Sequence, residues 1–433
     1  MSFTNSGVAL PYPELNDFFN ATCCLTLHAS LDFYMRYLLL LAALYSQFAA
    51  AQPKNRQHPL KQITKTVAYL SDDRLEGRRT GTAGEKLAAD YISKQFKKAG
   101  LSPNGDNGSY LQAFTVSEKD KRSGYNVVGF IDNKAQNTIV LGAHYDHLGY
   151  GEDRNSFYTA DPKMVHNGAD DNASGVAALI ELAGWLKKSG MKNHNYLLVA
   201  FSGEELGLFG SKYFTEHSPV PLTSINYMVN MDMVGRLNDS TRAITVGGYG
   251  TSPNWSNLVQ STGDLKITYD SSGVGPSDHT SFYLKDIPVL FFFTGTHMDY
   301  HRPSDDADKI NYKGIGRLTG FIQQLIAQTD DSPKLAFSKT REVHMGKSSF
   351  KVSLGILPDY TFSGTGVHVD GVTAGRPAEK AGILKGDIIL QLGEHKTDDV
   401  QLYMQALNKF DKGQVTNAKL KRGEKEFILP VTF

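Results

Sequence analysis

The sequence predicts an α/β protein: a mixed, mainly parallel sheet with helices on both faces, followed by a small C-terminal β/α domain. Three observations carry this expectation. The runs 138–143 (TIVLGA), 196–201 (YLLVAF) and 287–293 (IPVLFFF) are almost wholly apolar, as strands buried on both faces must be. Helical patterns fall between such runs, and that alternation marks a covered parallel sheet. At 329–347 the composition turns polar, and short strands and turns follow. A chain of 433 residues also exceeds the usual size of a single core.

Taken in order, the chain begins with 34 residues that precede a short apolar run. Met35-Arg36, then YLLLLAALY (37–45), then SQFAAAQ (46–52) have the n-region, h-region and small-residue cleavage site of a secretory signal. The run is too short to span a bilayer comfortably, so no stable membrane span is expected. A signal normally opens a protein, so Met35 is the expected start, residues 1–34 a start-site artefact and 35–51 the signal peptide. Both cysteines, Cys23 and Cys24, fall in the discarded part. The mature chain would be exported, periplasmic or secreted, with no thiol to form a disulfide or bind a metal.

The expected main domain runs from 52 to 328. Ile63, Val67 and Leu70 form one helical face. Gly84–Ala99 places Leu87, Tyr91, Ile92 and Phe96 on another, with Gly100 as its stop. Strands are expected at 110–116, 125–131 and 138–143, then a helix at 173–189, a strand at 196–201 and a helical stretch at 207–216. Strands at 226–231 and 287–293 and a helix at 312–328 complete the domain. Residues 329–347 read as a linker and 348–433 as a second domain. Formal charge is zero, which leaves no basic footprint for nucleic acid.

Ligands in open α/β sheets collect beyond the carboxyl ends of the strands. Those positions hold His144-Tyr-Asp146-His147, Ser202-Gly-Glu204-Glu205, Asp232 and His297-Met-Asp-Tyr300-His301. The turn Asp170-Asp171 precedes the helix between the first two groups. By itself that turn is either a capped helix start or a metal site, because anionic side chains suit a helix N-terminus without any ion. Together the groups form a His/carboxylate cluster without sulfur, which suits one or two divalent ions such as zinc. Asp146 is placed to orient the His144 ring. The Glu204-Glu205 pair can divide labour between a ligand and a general base. Either carboxylate of 170–171, and either histidine of the 297/301 pair, could be the ligand. Asp278-His279 reads as a supporting pair or a helix cap.

The segments HYDHLG (144–149), GADDNASG (168–175), FSGEELGLFGS (201–211), NMDMVG (230–235) and YHRPSDDADKI (300–310) resemble the zinc aminopeptidases of peptidase family M28. LEGRRTGTAGEKLAADYI (75–92) is similar to that family's N-terminal portion. The resemblance implies His144, Asp171, Glu205, Asp232 and His301 as ligands of two zinc ions, with Asp171 between them. It implies Glu204 as general base on a zinc-bridging water, Asp146 as orienter of His144, and Tyr300 as a contact to the reacting carbonyl. It further implies a cis Asp171–Asn172 peptide and the family's zinc-peptidase sandwich. The segment 149–166 departs from the pattern and is expected to line the pocket mouth.

Residues Ser353-Leu354-Gly355-Ile356 and GVTAGRPAEKAGILKGDIILQLGEH (371–395) resemble a PDZ domain of the bacterial-protease type. That resemblance implies strand-addition binding of a peptide C-terminus near Ser353–Ile356. The leading expectation is an aminopeptidase acting on peptides. A carboxypeptidase or glutaminyl cyclase on the same scaffold, and a metal-free PDZ adaptor, are the alternatives.

Overall fold

The computed structural model describes residues 57–433, apart from 118–120, 154, 159–161, 262–263, 341–351, 359–361, 363, 373–374 and 399. The signal-peptide reading at 35–51 lies outside these residues. Among the described residues no helix is long and apolar enough to cross a membrane.

Helix α1 (Gln57–Leu70) buries Ile63, Val67 and Leu70, the stripe that its apolar spacing predicts. In α2 (Ala83–Ala99) Thr82 caps the N-terminus by accepting from Glu85 N–H, and Gly100, at φ 85°, ends the helix. Tyr91, Ile92 and Phe96 turn inward as expected. Leu87 does not, at 46 % exposed, because the buried stripe is centred on Ala88, Ile92 and Phe96.

The strands β1 (Ser102–Pro103), β2 (Leu111–Ser117), β3 (Arg122–Ile131), β4 (Asn137–His144), β5 (His194–Phe201), β6 (Ile225–Met231), β7 (Ala243–Gly247), β8 (Lys266–Tyr269) and β9 (Val289–Phe293) form one nine-stranded sheet. Its order is β1-β3-β5-β4-β6-β9-β7-β8, with β2 on β3. The centre β5-β4-β6-β9 is parallel, whereas β3 joins β5, and β7 joins β9, antiparallel. The mixed, mainly parallel sheet is therefore present.

Side-chain alternation divides the interior. Ile139, Leu141, Tyr196, Leu198 and Ala200 face a core completed by α1, α2, α3 (Gly175–Ser189) and α7 (Tyr312–Thr329). Val140, Leu197, Val199 and Phe201 face the other way, against Phe214 of α4 (Phe209–Glu216) and Phe282 of α6 (His279–Tyr283). The one-turn α5 (Trp255–Leu258) adds the buried Trp255 to the first core.

The polar stretch after α7 is not a free linker along its whole length. Leu335 is 5 % exposed, and its N–H donates to Asn226. Phe337 packs on the second core, Ser338 N–H donates to the Thr251 carbonyl, and Thr340 bonds Tyr283 and Gly273. The polarity that suggested a linker reflects one-sided burial. These residues lie on the surface with only Leu335 and Phe337 turned in.

Beyond lie β10 (Ile356–Pro358), β11 (Val367–Val372), α8 (Pro377–Lys380), β12 (Ile388–Leu392), β13 (His395–Lys396), α9 (Val400–Leu407), β14 (Val415–Arg422) and β15 (Lys425–Thr432). They enclose a separate core around Leu354, Val369, Ile389, Leu407 and Leu420. Leu354 is fully buried, and its carbonyl accepts from Ala378 N–H at the start of α8. Gly355 has φ 79°, and a Cβ there would stand 2.2 Å from Cβ of Arg376, so the loop leading into β10 requires glycine. The Gly355 N–H donates to Ser353 Oγ.

Candidate metal centre

Each donor group sits where a strand of the parallel centre ends. His144 is the last residue of β4, Glu204 and Glu205 follow β5, Asp232 follows β6, and His301 lies in the loop after β9. The acidic turn is a single wide π-type turn, Ala169–Ser174, leading into α3, and the Asp171–Asn172 peptide is cis. Asn172 fixes the turn to β6, donating to the Met231 carbonyl at 2.9 Å and accepting from Gly175 N–H. Asp305 fixes it from the other side. One of its carboxylate oxygens accepts from Asp170 N–H at 2.9 Å and Asp171 N–H at 3.0 Å.

Asp171 faces two ways. Its Oδ1 lies 3.3 Å from His144 Nε2, and its Oδ2 lies 3.4 Å from His301 Nε2. His144 Nε2 is also 3.2 Å from Asp232 Oδ1, and His301 Nε2 is 3.2 Å from Glu205 Oε2. The five sequence-predicted ligands thus converge as two groups sharing one carboxylate. Nitrogen and oxygen donors without sulfur, converging at this spacing, fit divalent ions of zinc type.

One neighbour was missed. His147 Nδ1 lies 2.9 Å from Glu205 Oε1 and 3.8 Å from Asp171 Oδ2, so it belongs to a compact set with those two carboxylates. It faces the Glu205 oxygen that His301 does not face. As the fourth residue of HYDH it was within the motif, but nothing in its spacing distinguished it from a core histidine.

Asp146 contacts His144 through both its main chain and its side chain. The His144 Nδ1 partner at 3.3 Å is the Asp146 main-chain carbonyl, and the carboxylate is 3.7 Å away. That carboxylate accepts from Thr80 Oγ1 at 2.9 Å and from Glu204 N–H at 3.2 Å. Asp146 therefore positions the main chain of Glu204 as well as the His144 ring. Tyr300 stacks on His301 with ring centroids 3.9 Å apart and packs beside Met233, Phe291 and Phe293.

Two residues of the segment 149–166, Asn155 and Phe157, touch the candidate ligand His301. The Asn155 carbonyl is 2.8 Å from His301 Nδ1, which leaves Nε2 for the carboxylates, and Phe157 packs on the His301 and Tyr300 rings. Asp153 anchors the segment through paired bonds to Arg79 and Arg122 at 2.7–2.9 Å.

Burial raises the Glu204 carboxyl well above the ordinary range. His144 opposes that rise, and Glu205, Asp232 and Asp278 add to it. Burial alone would raise Glu205 as well, but His301 and His147 overrule it and hold it at about 2. Asp278 is fully buried and raised to about 7, first by burial. It makes no cap bond to α6, so the helix-cap reading fails and it stands as a buried carboxyl behind the centre. His279 stacks on Phe291 at 4.5 Å and burial lowers it to about 3, so it is a neutral core ring.

Residues 126–326 match the model of peptidase family M28, and residues 336–432 match that of the PDZ domain. The chain is 28 % identical to leupeptin-inactivating enzyme 1 of Streptomyces exfoliatus, over 60 % of this chain and 54 % of that one. It is 28 % identical to aminopeptidase YwaD of Bacillus subtilis, over 57 % and 52 %. The chain thus spans about half the length of these relatives. Among solved structures, a Zn-dependent exopeptidase from Parabacteroides distasonis superposes with TM-score 0.51 at 17 % identity, over 63 % of this chain and 98 % of that one. A glutaminyl cyclase from Bacteroides thetaiotaomicron does so with TM-score 0.50 at 17 % identity, over 62 % and 97 %. These two likenesses concern the fold alone.

Proposed function

We propose that this chain, an M28 peptidase domain joined to a PDZ domain, is an exported metallo-aminopeptidase that releases N-terminal residues from peptides with the help of two zinc ions. The observation that carries this reading is the pair of Asp171 oxygens facing His144 on one side and His301 on the other. A carboxylate so shared supports the reading of a dinuclear centre. His144 and Asp232 would hold one ion, Glu205 and His301 the other, and Asp171 both. When bound, the ions supply Lewis acidity, polarising the scissile carbonyl and making water acidic enough to attack near neutrality.

The chain's own residues do the rest. Glu204, held in place through its N–H on Asp146, takes a proton from the attacking water and gives it to the leaving amine. A carboxyl made more basic by burial suits that shuttle. Tyr300, on the His301 ring, donates to the reacting carbonyl. Phe157 and Tyr300 pack against each other beside the candidate ligand His301. The substrate's free amine is drawn by the excess of carboxylates, and this charge complementarity favours chain ends.

The PDZ module would take a peptide C-terminus against β10, with the Ser353–Ile356 loop beneath its carboxylate. Such a site tethers long substrates and adds no chemistry.

Metal analysis with a paired assay tests the proposal. Two zinc equivalents and cleavage of aminoacyl nitroanilides, but not of an N-blocked dipeptide, are expected. Cleavage of the blocked dipeptide instead indicates a carboxypeptidase, and cyclisation of glutaminyl peptides a cyclase. A protein that takes up no zinc leaves the PDZ adaptor.

A further inference from the structure

We infer that Arg78 is a positioning residue that registers the two turns carrying the metal donors against each other; this rests on the metal-centre reading above. Its side chain is fully buried, and the guanidinium meets four main-chain carbonyls. Nε donates to Tyr145 O at 2.7 Å, Nη1 to Leu70 O and to Asn167 O, the latter at 2.6 Å, and Nη2 to Gly168 O at 3.1 Å. Tyr145 lies between His144 and Asp146. Asn167 and Gly168 lead directly into Asp170-Asp171. Leu70 is the last residue of α1, whose final carbonyls have no partner within the helix. One planar group therefore joins a helix end, the β4 turn and the acidic turn.

The backbone around Arg78 is built for this task. Glu76, Gly77 and Arg78 have φ of 47°, 67° and 47°, three left-handed residues in succession. Two of them carry a Cβ, at a cost of about 1–2 kcal/mol each. A Cβ on Gly77 would stand 2.6 Å from His166 O and 2.7 Å from Gly149 O, so only glycine lets the turn sit against those strands of chain. The turn is also tied by its own main chain, since His147 N–H donates to Arg78 O and Gly149 N–H to Gly77 O.

A charge this deeply buried is normally matched by a carboxylate in contact. Here the neighbours in contact are carbonyls. Asp171, Asp146, Asp305 and Glu205 act only through space, favouring the cation against a burial effect that brings it down to about 10. An arginine placed so sets geometry first and offsets the acidic cluster second. Lysine keeps the charge, but its single nitrogen has three donors and no planar fork, so it cannot hold all four carbonyls.

The test uses the full chain with Arg78→Lys and Arg78→Met. Zinc affinity is measured by competition with a chromophoric chelator, and melting is followed with and without zinc. The lysine variant is expected to melt cooperatively in the metal-free form, to bind zinc roughly 10- to 100-fold more weakly, as losses of supporting contacts do, and to show a smaller zinc-induced rise in Tm. The methionine variant, with four carbonyls unmet, should be weaker still in affinity or fail to fold. Wild-type zinc affinity in a folded lysine variant would overturn the inference. So would a lysine variant with no cooperative transition, because the residue would then serve folding generally. A wild-type chain that binds no zinc would instead sink the metal-centre reading.

Discussion

His297 Nε2 lies 3.1 Å from Asp170 Oδ2, so these two residues pair with each other beside the pair made by His301 and Asp171. Asp170 is fully buried, and its other oxygen accepts from Gly235 N–H. Burial would lower the His297 ring, but Asp170 overrules it and keeps it raised. His297→Ala should leave the Asp170 charge unpaired and cost about 3 kcal/mol, the low end for a broken buried pair, because His297 is partly open to solvent. Denaturant titration reads this loss. Elemental analysis should still find the full complement of metal in the folded variant; loss of an ion would place His297 among the ligands.

Asp171→Ala is expected to cost both ions, because each oxygen serves one group. Glu205→Ala should cost one. Metal-to-protein ratios after dialysis distinguish these outcomes, and equal ratios in the two variants would refute the shared role of Asp171.

Glu204→Gln should keep its metal and KM while kcat falls about 10²–10⁴-fold, the usual worth of a positioned general base. Near-normal turnover in a metal-loaded variant removes the base assignment.

Asp153 supplies a pH dependence. Burial would raise its carboxyl, but Arg79 and Arg122 overrule it and hold it at about 2. The depressed value means that its contribution is complete above the unfolded value of about 3.9 and disappears as pH falls towards 2. The difference corresponds to about 1–2 kcal/mol after allowance for partial solvent screening. Unfolding free energies of wild type and Asp153→Asn should therefore differ at pH 6 and converge near pH 2. Parallel curves over that range would show the clamp to be energetically idle.

Truncation should separate two roles of the C-terminal region. Removal of residues 341–433 leaves Leu335, Phe337 and Thr340 in their contacts and should spare aminoacyl nitroanilides while raising KM for long peptides. Ending the chain at 328 removes those contacts as well and should lower Tm by several degrees. Equal KM changes for long and short substrates would end the tethering idea.

The central strands were legible because burial on both faces leaves an unambiguous apolar run. The candidate donors at their ends were drawn from sheet topology and from the ordered motifs. What escaped has a common physical cause. His147, Asp305 and Arg78 act through contacts with residues far along the chain, and no periodicity reports such contacts. Arg78 bonds carbonyls 8, 67, 89 and 90 positions away. The choice between Asp170 and Asp171 was likewise invisible to spacing, since adjacent carboxylates differ only in which way the turn points them. Leu87 failed for a simpler reason: a leucine at the margin of a helical stripe can turn to solvent when small alanines fill the contact.

The order of the strands has a consequence for when the centre can exist. Its candidate donors follow β4, β5, β6 and β9, and β9 lies beside β6 although 57 residues separate the end of one from the start of the other. A nascent or clipped chain that lacks the segment after β9 has no His301, and one that lacks β9 has an open sheet edge beside Asp232. The proposed metal centre can therefore assemble only after β9 and the segment that follows it have joined the sheet.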